Sequence, residues 1–136
     1  MKHSQEVRVS YHDTDSYGVV WHGAYVKWLE IGRVELCEML GLSLAEIESA
    51  GVTLPVVDMH IRYKSSALMN DRLLVETSIK ELKPMSVMFS HTIKNKDTQK
   101  VNIIAETTVV LLDKNGRLMK KMPENMYNAF LSAIEN

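Results

Sequence analysis

Between Gly23 and Leu40 the chain carries a helical pattern with almost no polar side. Tyr25, Trp28, Leu29, Leu36, Met39 and Leu40 recur at helical spacing, and Gly32 continues the stripe. Val26, Ile31, Val34 and Cys37 widen it, leaving Lys27, Glu30, Arg33, Glu35 and Glu38 as the only charges. A helix apolar around most of its circumference must be buried by something that wraps around it. Gly41 follows immediately, placed to close the helix in a left-handed cap.

The rest of the chain supplies the wrapping. Val7 to Ser10 alternates apolar and polar, the period of a half-buried strand. Tyr11 to Gly18 is dense in Asp, Thr, Ser and Gly, whose side chains and backbone freedom favour turns. Ser43-Leu44-Ala45-Glu46 is a capping box opening a short second helix that Gly51 ends. Strands are expected at Val52–Tyr63, Leu73–Leu82, Met85–Ile93 and Val101–Leu112. In the third of them Val87, Phe89 and His91 alternate with Met88, Ser90 and Thr92. Lys83-Pro84 and Asn95-Lys96-Asp97 are turn signals, so neighbouring strands join as antiparallel hairpins. Pro123 begins a terminal helix bearing Met126, Tyr127, Phe130 and Ile134. The pattern is therefore α+β: an antiparallel sheet curled around one long apolar helix.

Size and charge narrow the function. A chain of 136 residues with no repeat or linker is expected to form a single domain over 1–136. Its net charge of -1, with basic residues scattered singly except at Lys120-Lys121, argues against a nucleic-acid partner. One cysteine, Cys37, rules out an internal disulfide. The first residues hold no apolar run of signal-peptide length, and no stretch approaches the roughly 20 apolar residues of a membrane span. The expected compartment is the cytoplasm.

Chemistry concentrates in Tyr11-His12-Asp13-Thr14-Asp15-Ser16-Tyr17-Gly18-Val19-Val20-Trp21-His22. Two carboxylates, two imidazoles and a glycine stand directly ahead of the long helix. The start of a helix leaves backbone N–H groups unpaired and carries partial positive charge, so an oxyanion can bind there. Val19, Val20 and Trp21 would keep that place dry. A carboxylate just upstream can attack an acyl carbonyl or activate a water.

The run Asp13-Thr14-Asp15 to Gly18-Val19-Val20, then His22 and Tyr25, resembles the signature of 4-hydroxybenzoyl-CoA-thioesterase-like hotdog enzymes. Within them the chain resembles the small bacterial acyl-CoA thioesterases often encoded beside the Tol–Pal system. Glu30, Arg33, Tyr63, Ala67, Asp71 and Ser86 match further along, and the similarity covers nearly the whole length. The resemblance implies a hotdog fold, a long helix wrapped by a curled antiparallel sheet, in a homodimer or homotetramer. It implies Asp15 as nucleophile or general base and the backbone amide of His22 as the group polarising the thioester carbonyl. Gly18, Val20, Gly23 and Tyr25 are the accompanying oxyanion and substrate-binding positions. The substrate implied is an acyl-CoA, or an acyl group on acyl-carrier protein, with neither metal nor organic cofactor. Relatives commonly carry Pro-Ala and a basic residue where this chain has Ser66-Ala67-Leu68. The contact that relatives make there to the CoA phosphates does not carry over, and nothing in the sequence assigns it to Arg62, Lys64 or Arg72 instead.

Other readings of the same residues stand beside these. Asp13 is foremost a turn residue capping backbone groups. The imidazole of His22 is either a helix cap or a proton carrier. A metal set from His12, Asp13, Asp15 and His22 lacks a second compact ligand cluster. Cys37 in mid-helix fits a buried structural thiol, and no Gly-x-Ser-x-Gly elbow is present. Asp58 and His60 share one strand face as surface or interface residues. Two further functions remain open: a hydratase or dehydratase on acyl thioesters using His22 with Asp15, and a non-catalytic module binding acyl-CoA or acyl-carrier protein.

Overall fold

The computed structural model describes residues 1–135. Five strands form one antiparallel sheet: β1 (Lys2–Arg8), β2 (Val56–Tyr63), β3 (Arg72–Lys83), β4 (Ser86–Asn95) and β5 (Val101–Val110). Their spatial order is β1-β3-β4-β5-β2, so β1 and β2 are the edges. Helix α1 (His22–Met39) lies against the concave face, α2 (Leu44–Ser49) follows it, and α3 (Glu124–Glu135) closes one end. This is the curled-sheet α+β architecture, the hotdog fold, that the apolar helix demands.

The inner face is written in alternation. Leu73, Val75, Thr77 and Ile79 of β3 are buried, as are Val87, Phe89, His91 and Ile93 of β4. Ile103, Ala105, Thr107 and Val109 continue the layer on β5. Register shifts at Ile79/Glu81 in β3 and, opposite Ile93/Lys94 of β4, at Asn102 in β5 are the bulges that let the sheet bend around a helix. The helix approaches closely at Gly32, where an added Cβ would come within 2.4 Å of the Thr77 hydroxyl oxygen. Only glycine permits that contact.

Helix α1 ends as expected. Gly41 has φ of +78°, its N–H donates to Glu38 O, and the Leu42 N–H donates to Cys37 O. Together these are a Schellman cap, which also buries Leu42 beside Cys37. Ser43 Oγ accepts from the Glu46 N–H at the start of α2. In α3, Met126, Phe130 and Ala133 face inward and Ile134 is exposed, with the Phe130 ring edge-on to Phe89.

Several boundaries differ from the sequence reading. Strand β1 runs Lys2–Arg8, not Val7 to Ser10, because its inward positions include His3 and Gln5, which leave no apolar alternation. Strand β2 begins at Val56, after Pro55, while Thr53 makes only an isolated bridge to Leu112. Strand β5 ends at Val110. The helix is also less enclosed than its sequence demands: Val26, Ile31 and Val34 are half-buried. Val26 and Arg33 border a hollow of about 230 Å³ shared with Val56 and Met59 of β2. Among the described residues no helix is long and apolar enough to cross a membrane.

Candidate active site

The segment ahead of α1 folds as a small irregular hairpin. Thr14 and Val20 form a bridge, the Asp15 N–H donates to Val19 O, and the Gly18 N–H donates to Asp15 O. Gly18 takes φ of +79°, which the tight reversal requires. The outer arm pairs with the loop after β2: Val19 bridges Leu68, and the Val20 N–H donates to Ala67 O. The Trp21 N–H donates to Asp13 O, so the loop is fastened at the point where the helix begins.

The two carboxylates occupy opposite environments. Asp13 is buried and accepts from the Ser10 N–H at 2.9 Å and from Lys27 Nζ at 3.1 Å. Burial works to raise its pKa, but those two hydrogen bonds and the charges of Lys27 and His12 outweigh it and hold the carboxyl below its ordinary range. Asp15 is exposed, and one of its oxygens accepts from the Tyr17 N–H at 2.8 Å. It borders a hollow of about 500 Å³ together with Tyr11, Thr14, Ser16, Gly18 and Met69.

The helix start provides donors. The N-cap, Trp21, offers no side-chain acceptor, and no described group accepts from the amides of His22 or Gly23. These two N–H groups are therefore the orphans of the helix terminus, at its positive end. The Trp21 ring lies over Gly23, within 2.1 Å of where a Cβ would stand, and edge-on to the His22 ring. His22, Val20 and Tyr25 border a second hollow of about 280 Å³ with Tyr63, Lys64, Ser65 and Ser66.

Within one chain, then, the expected site residues divide. Asp15 and Gly18 share one hollow; Val20, His22 and Tyr25 share the other; Gly23 lies beneath Trp21. His12 is exposed, with Nε2 3.7 Å from Asp13. Among the described residues no group of three or more His, Cys, Asp or Glu is arranged to hold a metal ion. Cys37 is buried, its thiol pushed up to about 11 chiefly by that burial, which leaves it protonated and unreactive near neutral pH.

Tyr25 has a structural task as well. Its hydroxyl accepts from the buried Ala67 N–H at 3.0 Å, and its ring packs edge-on against Trp28 and Tyr63. Burial raises its pKa. Asp71 caps the same loop by accepting from the Leu68 N–H. Sequence reasoning overlooked Met69 beside Asp15 and the polar chain Thr77–His91–Thr107 beneath the helix. There His91 Nδ1 lies 3.1 Å from Thr77 Oγ1 and Nε2 lies 3.0 Å from Thr107 Oγ1. The alternation of Val87, Phe89 and His91 already placed that imidazole on the core face. Nothing in the sequence marked Met69.

A model of the thioesterase-like superfamily matches residues 9–130, which takes in the hairpin, the helix and the whole sheet beyond β1. The chain belongs to this superfamily. YneP of Bacillus subtilis is 32% identical over 112 residues, spanning 82% of this chain and 80% of YneP. The acyl-CoA thioester hydrolase YbgC of Escherichia coli is 31% identical over 124 residues, 91% of this chain and 92% of YbgC. A crystal structure of a 1,4-dihydroxy-2-naphthoyl-CoA thioesterase from Synechocystis superposes with a TM-score of 0.86 at 23% identity, covering 96% of each chain. At that identity the likeness speaks for the hotdog fold alone.

Proposed function

We propose that the protein is an acyl-CoA thioesterase that hydrolyses the thioester to free acid and CoA, with Asp15 as the reacting carboxylate. The observation that carries this reading is the pair of uncommitted amides of His22 and Gly23 at the positive end of α1, reached by the same loop that bears an exposed Asp15 whose companion Asp13 is consumed by structure. Such amides suit the oxyanion of an acyl-transfer transition state, which in a water-poor site is worth several kcal/mol. The names of relatives that share nine-tenths of the chain support the same reaction.

In this reading Asp15 either attacks the carbonyl carbon, giving an anhydride and CoA thiolate, or takes a proton from the attacking water. The carbonyl oxygen turns toward the amides of His22 and Gly23, and Val20 and Tyr25 wall the acyl side. Gly18 lets the loop reverse so that Asp15 faces outward. The open β2 edge is where a second copy would join, sheet to sheet. The assembly is thus a homodimer or a dimer of dimers, acting as one domain per chain, in the cytoplasm, without metal or cofactor. Acyl-carrier protein stands as a second carrier for the same acyl group.

Free-thiol release from a panel of short-chain, long-chain and aromatic acyl-CoAs tests the proposal. Release by the wild-type protein is the expected result. Hydration of an enoyl-CoA without thiol release, or tight CoA binding without turnover of any thioester, would overturn it.

A further inference from the structure

His22, Tyr25, Val26, Leu29, Glu30 and Arg33 recur at spacings of three and four, so they lie along one side of α1. They border two hollows in succession: the one beside His22, then the one of about 230 Å³ that runs from Val26 to Arg33. The inner face of β2 follows them in reverse, with Tyr63 at the first hollow and Met59 and Val56 at the second. An extra residue in β2, Val57, sets Val56 opposite Val109 and so returns it to that face. A line of hollows between α1 and β2 thus leads away from the amides of His22 and Gly23.

The second hollow is apolar on most sides, through Val26, Leu29, Val56 and Met59, and polar at two inner points. One is the Thr107 hydroxyl, on the residue directly opposite Met59 in the sheet, with His91 Nε2 at 3.0 Å. The other is Arg33, whose side chain is 12% exposed. Among the described residues its one ion pair is with Glu30, at 4.0 Å, and Glu30 is 66% exposed at the rim. The charge of Arg33 is felt by both His91 and Cys37, as befits a guanidinium turned toward the core. A cation so enclosed gives up hydration that a distant, solvated carboxylate does not return. It lacks a close, planar anion, the partner that its forked donors fit in pairs. At about 1.5 Å of rise per residue, less the reach of a side chain leaning toward the N-terminus, the guanidinium stands roughly 10 Å along the axis from the helix start.

Resting on the thioesterase reading, we propose that the acyl group carries a second carboxylate at its far end, bound by Arg33 with the Thr107 hydroxyl beside it. The substrate class is then a half-thioester of a dicarboxylic acid. Its methylenes lie against Val26, Leu29, Val56 and Met59, and its free carboxylate completes the ion pair that Glu30 leaves open. Glu30, already in water, turns outward as that carboxylate arrives. Arg33 sets specificity, remote from the thioester carbonyl and without part in its cleavage.

The test measures kcat/KM for thiol release from suberoyl-CoA, its terminal methyl ester and octanoyl-CoA, which share one carbon chain and differ in the charge at its end. Wild type should favour suberoyl-CoA over the other two by about tenfold or more, the worth of one charged hydrogen-bonded contact. In Arg33→Met that preference should vanish, chiefly through KM, and Arg33→Lys should recover part of it. Thr107→Val should lower it less. A wild type that treats the three alike, or favours octanoyl-CoA, overturns the proposal whether or not any variant folds. So does an equal loss on all three in Arg33→Met, or a change of oligomeric state at an unchanged preference, since either makes Arg33 a structural cation. Silence on all three beside release from aromatic or shorter acyl-CoAs overturns this proposal and leaves the thioesterase reading standing. Silence on every acyl-CoA sinks that reading itself.

Discussion

Asp13 and Asp15 stand two residues apart in one loop and have been put to opposite uses. Asp13 is 4% exposed, accepts from Ser10 and Lys27, and its own carbonyl receives the Trp21 N–H that aligns the helix start. Asp15 faces outward and keeps one carboxylate oxygen free of any described partner. Asp13 closes the 3₁₀ turn at Tyr11–Asp13 while Asp15 lies beyond it in the irregular hairpin, so the two side chains do not share a face as residues two apart in a strand would. A carboxylate locked in an ion pair is a poor nucleophile and a poor base; one left accessible is suited to either part. The first aspartate builds the loop, and the second is left free for the role proposed for it.

The largest expected effect falls on Asp15. Asp15→Asn should lower kcat/KM by about a thousandfold or more, because the reacting group is removed while the amides remain. Its melting temperature should stay within about 2 °C of wild type, since the amide oxygen can still accept from the Tyr17 N–H. Thiol release and a thermal melt on one preparation decide it. A folded, fully active variant would erase the distinction between the two aspartates.

Acid titration separates the loop from the core. His91 is held neutral between Thr77 and Thr107, and burial, reinforced by the nearby Arg33 guanidinium, lowers its pKa to about 4. The unfolded chain binds that proton near the ordinary value of about 6.5, so between these limits it holds more protons than the folded one. Stability should therefore be fully present above about pH 6.5 and fall as the pH drops toward 4, by about 3 kcal/mol at most. Asp13 has the same sign in a lower window: its depressed pKa contributes stability above the ordinary carboxylate value that is lost only at more acid pH. Denaturant melts from pH 7 to 4 should flatten in His91→Gln and keep their slope in Asp13→Asn. The reverse pattern would move the acid sensitivity from the core to the loop.

Asp13→Asn should cost about 2 kcal/mol, as a buried charged acceptor and its ion pair are lost while one hydrogen bond survives. The helix start should loosen with it, so activity falls alongside the melting temperature; Asp15→Asn separates the two. Equal stability of the two variants in a denaturant titration would contradict the division of labour.

Much of this was legible in the chain beforehand, and the exceptions share a cause. The apolar circumference of α1 announced a wrapping sheet, and the alternation of β4 placed His91 on its inner face. The Asp-x-Asp run ahead of the helix located the loop, and its resemblance singled out the second aspartate. Strand β1 was misjudged because His3 and Gln5 occupy inward positions, and a hydrophobic pattern cannot report a polar inner face. Val26, Ile31 and Val34 are half-buried although the sequence called for a helix enclosed around most of its circumference. The separation of Asp15 from the His22 hollow has the same character, because it depends on how distant loops meet and not on spacing along the chain.

Lys27 offers the finest test of the comparison. Its ammonium lies 3.1 Å from Asp13 and is 49% exposed, so water screens much of the attraction. Lys27→Met removes the ammonium, and with it both the Asp13 pair and the cation 5.7 Å from the Trp28 ring centroid. The expected loss is about 0.5–1 kcal/mol, visible as a shift in the denaturant midpoint, with kcat nearly unchanged. Asp13 would still accept from the Ser10 N–H, and the loop would keep its shape. If Lys27→Met instead abolished activity at full stability, the Asp13–Lys27 pair would belong to the chemistry. The boundary between structural and reacting carboxylate would then run through the pair itself, not between the two aspartates.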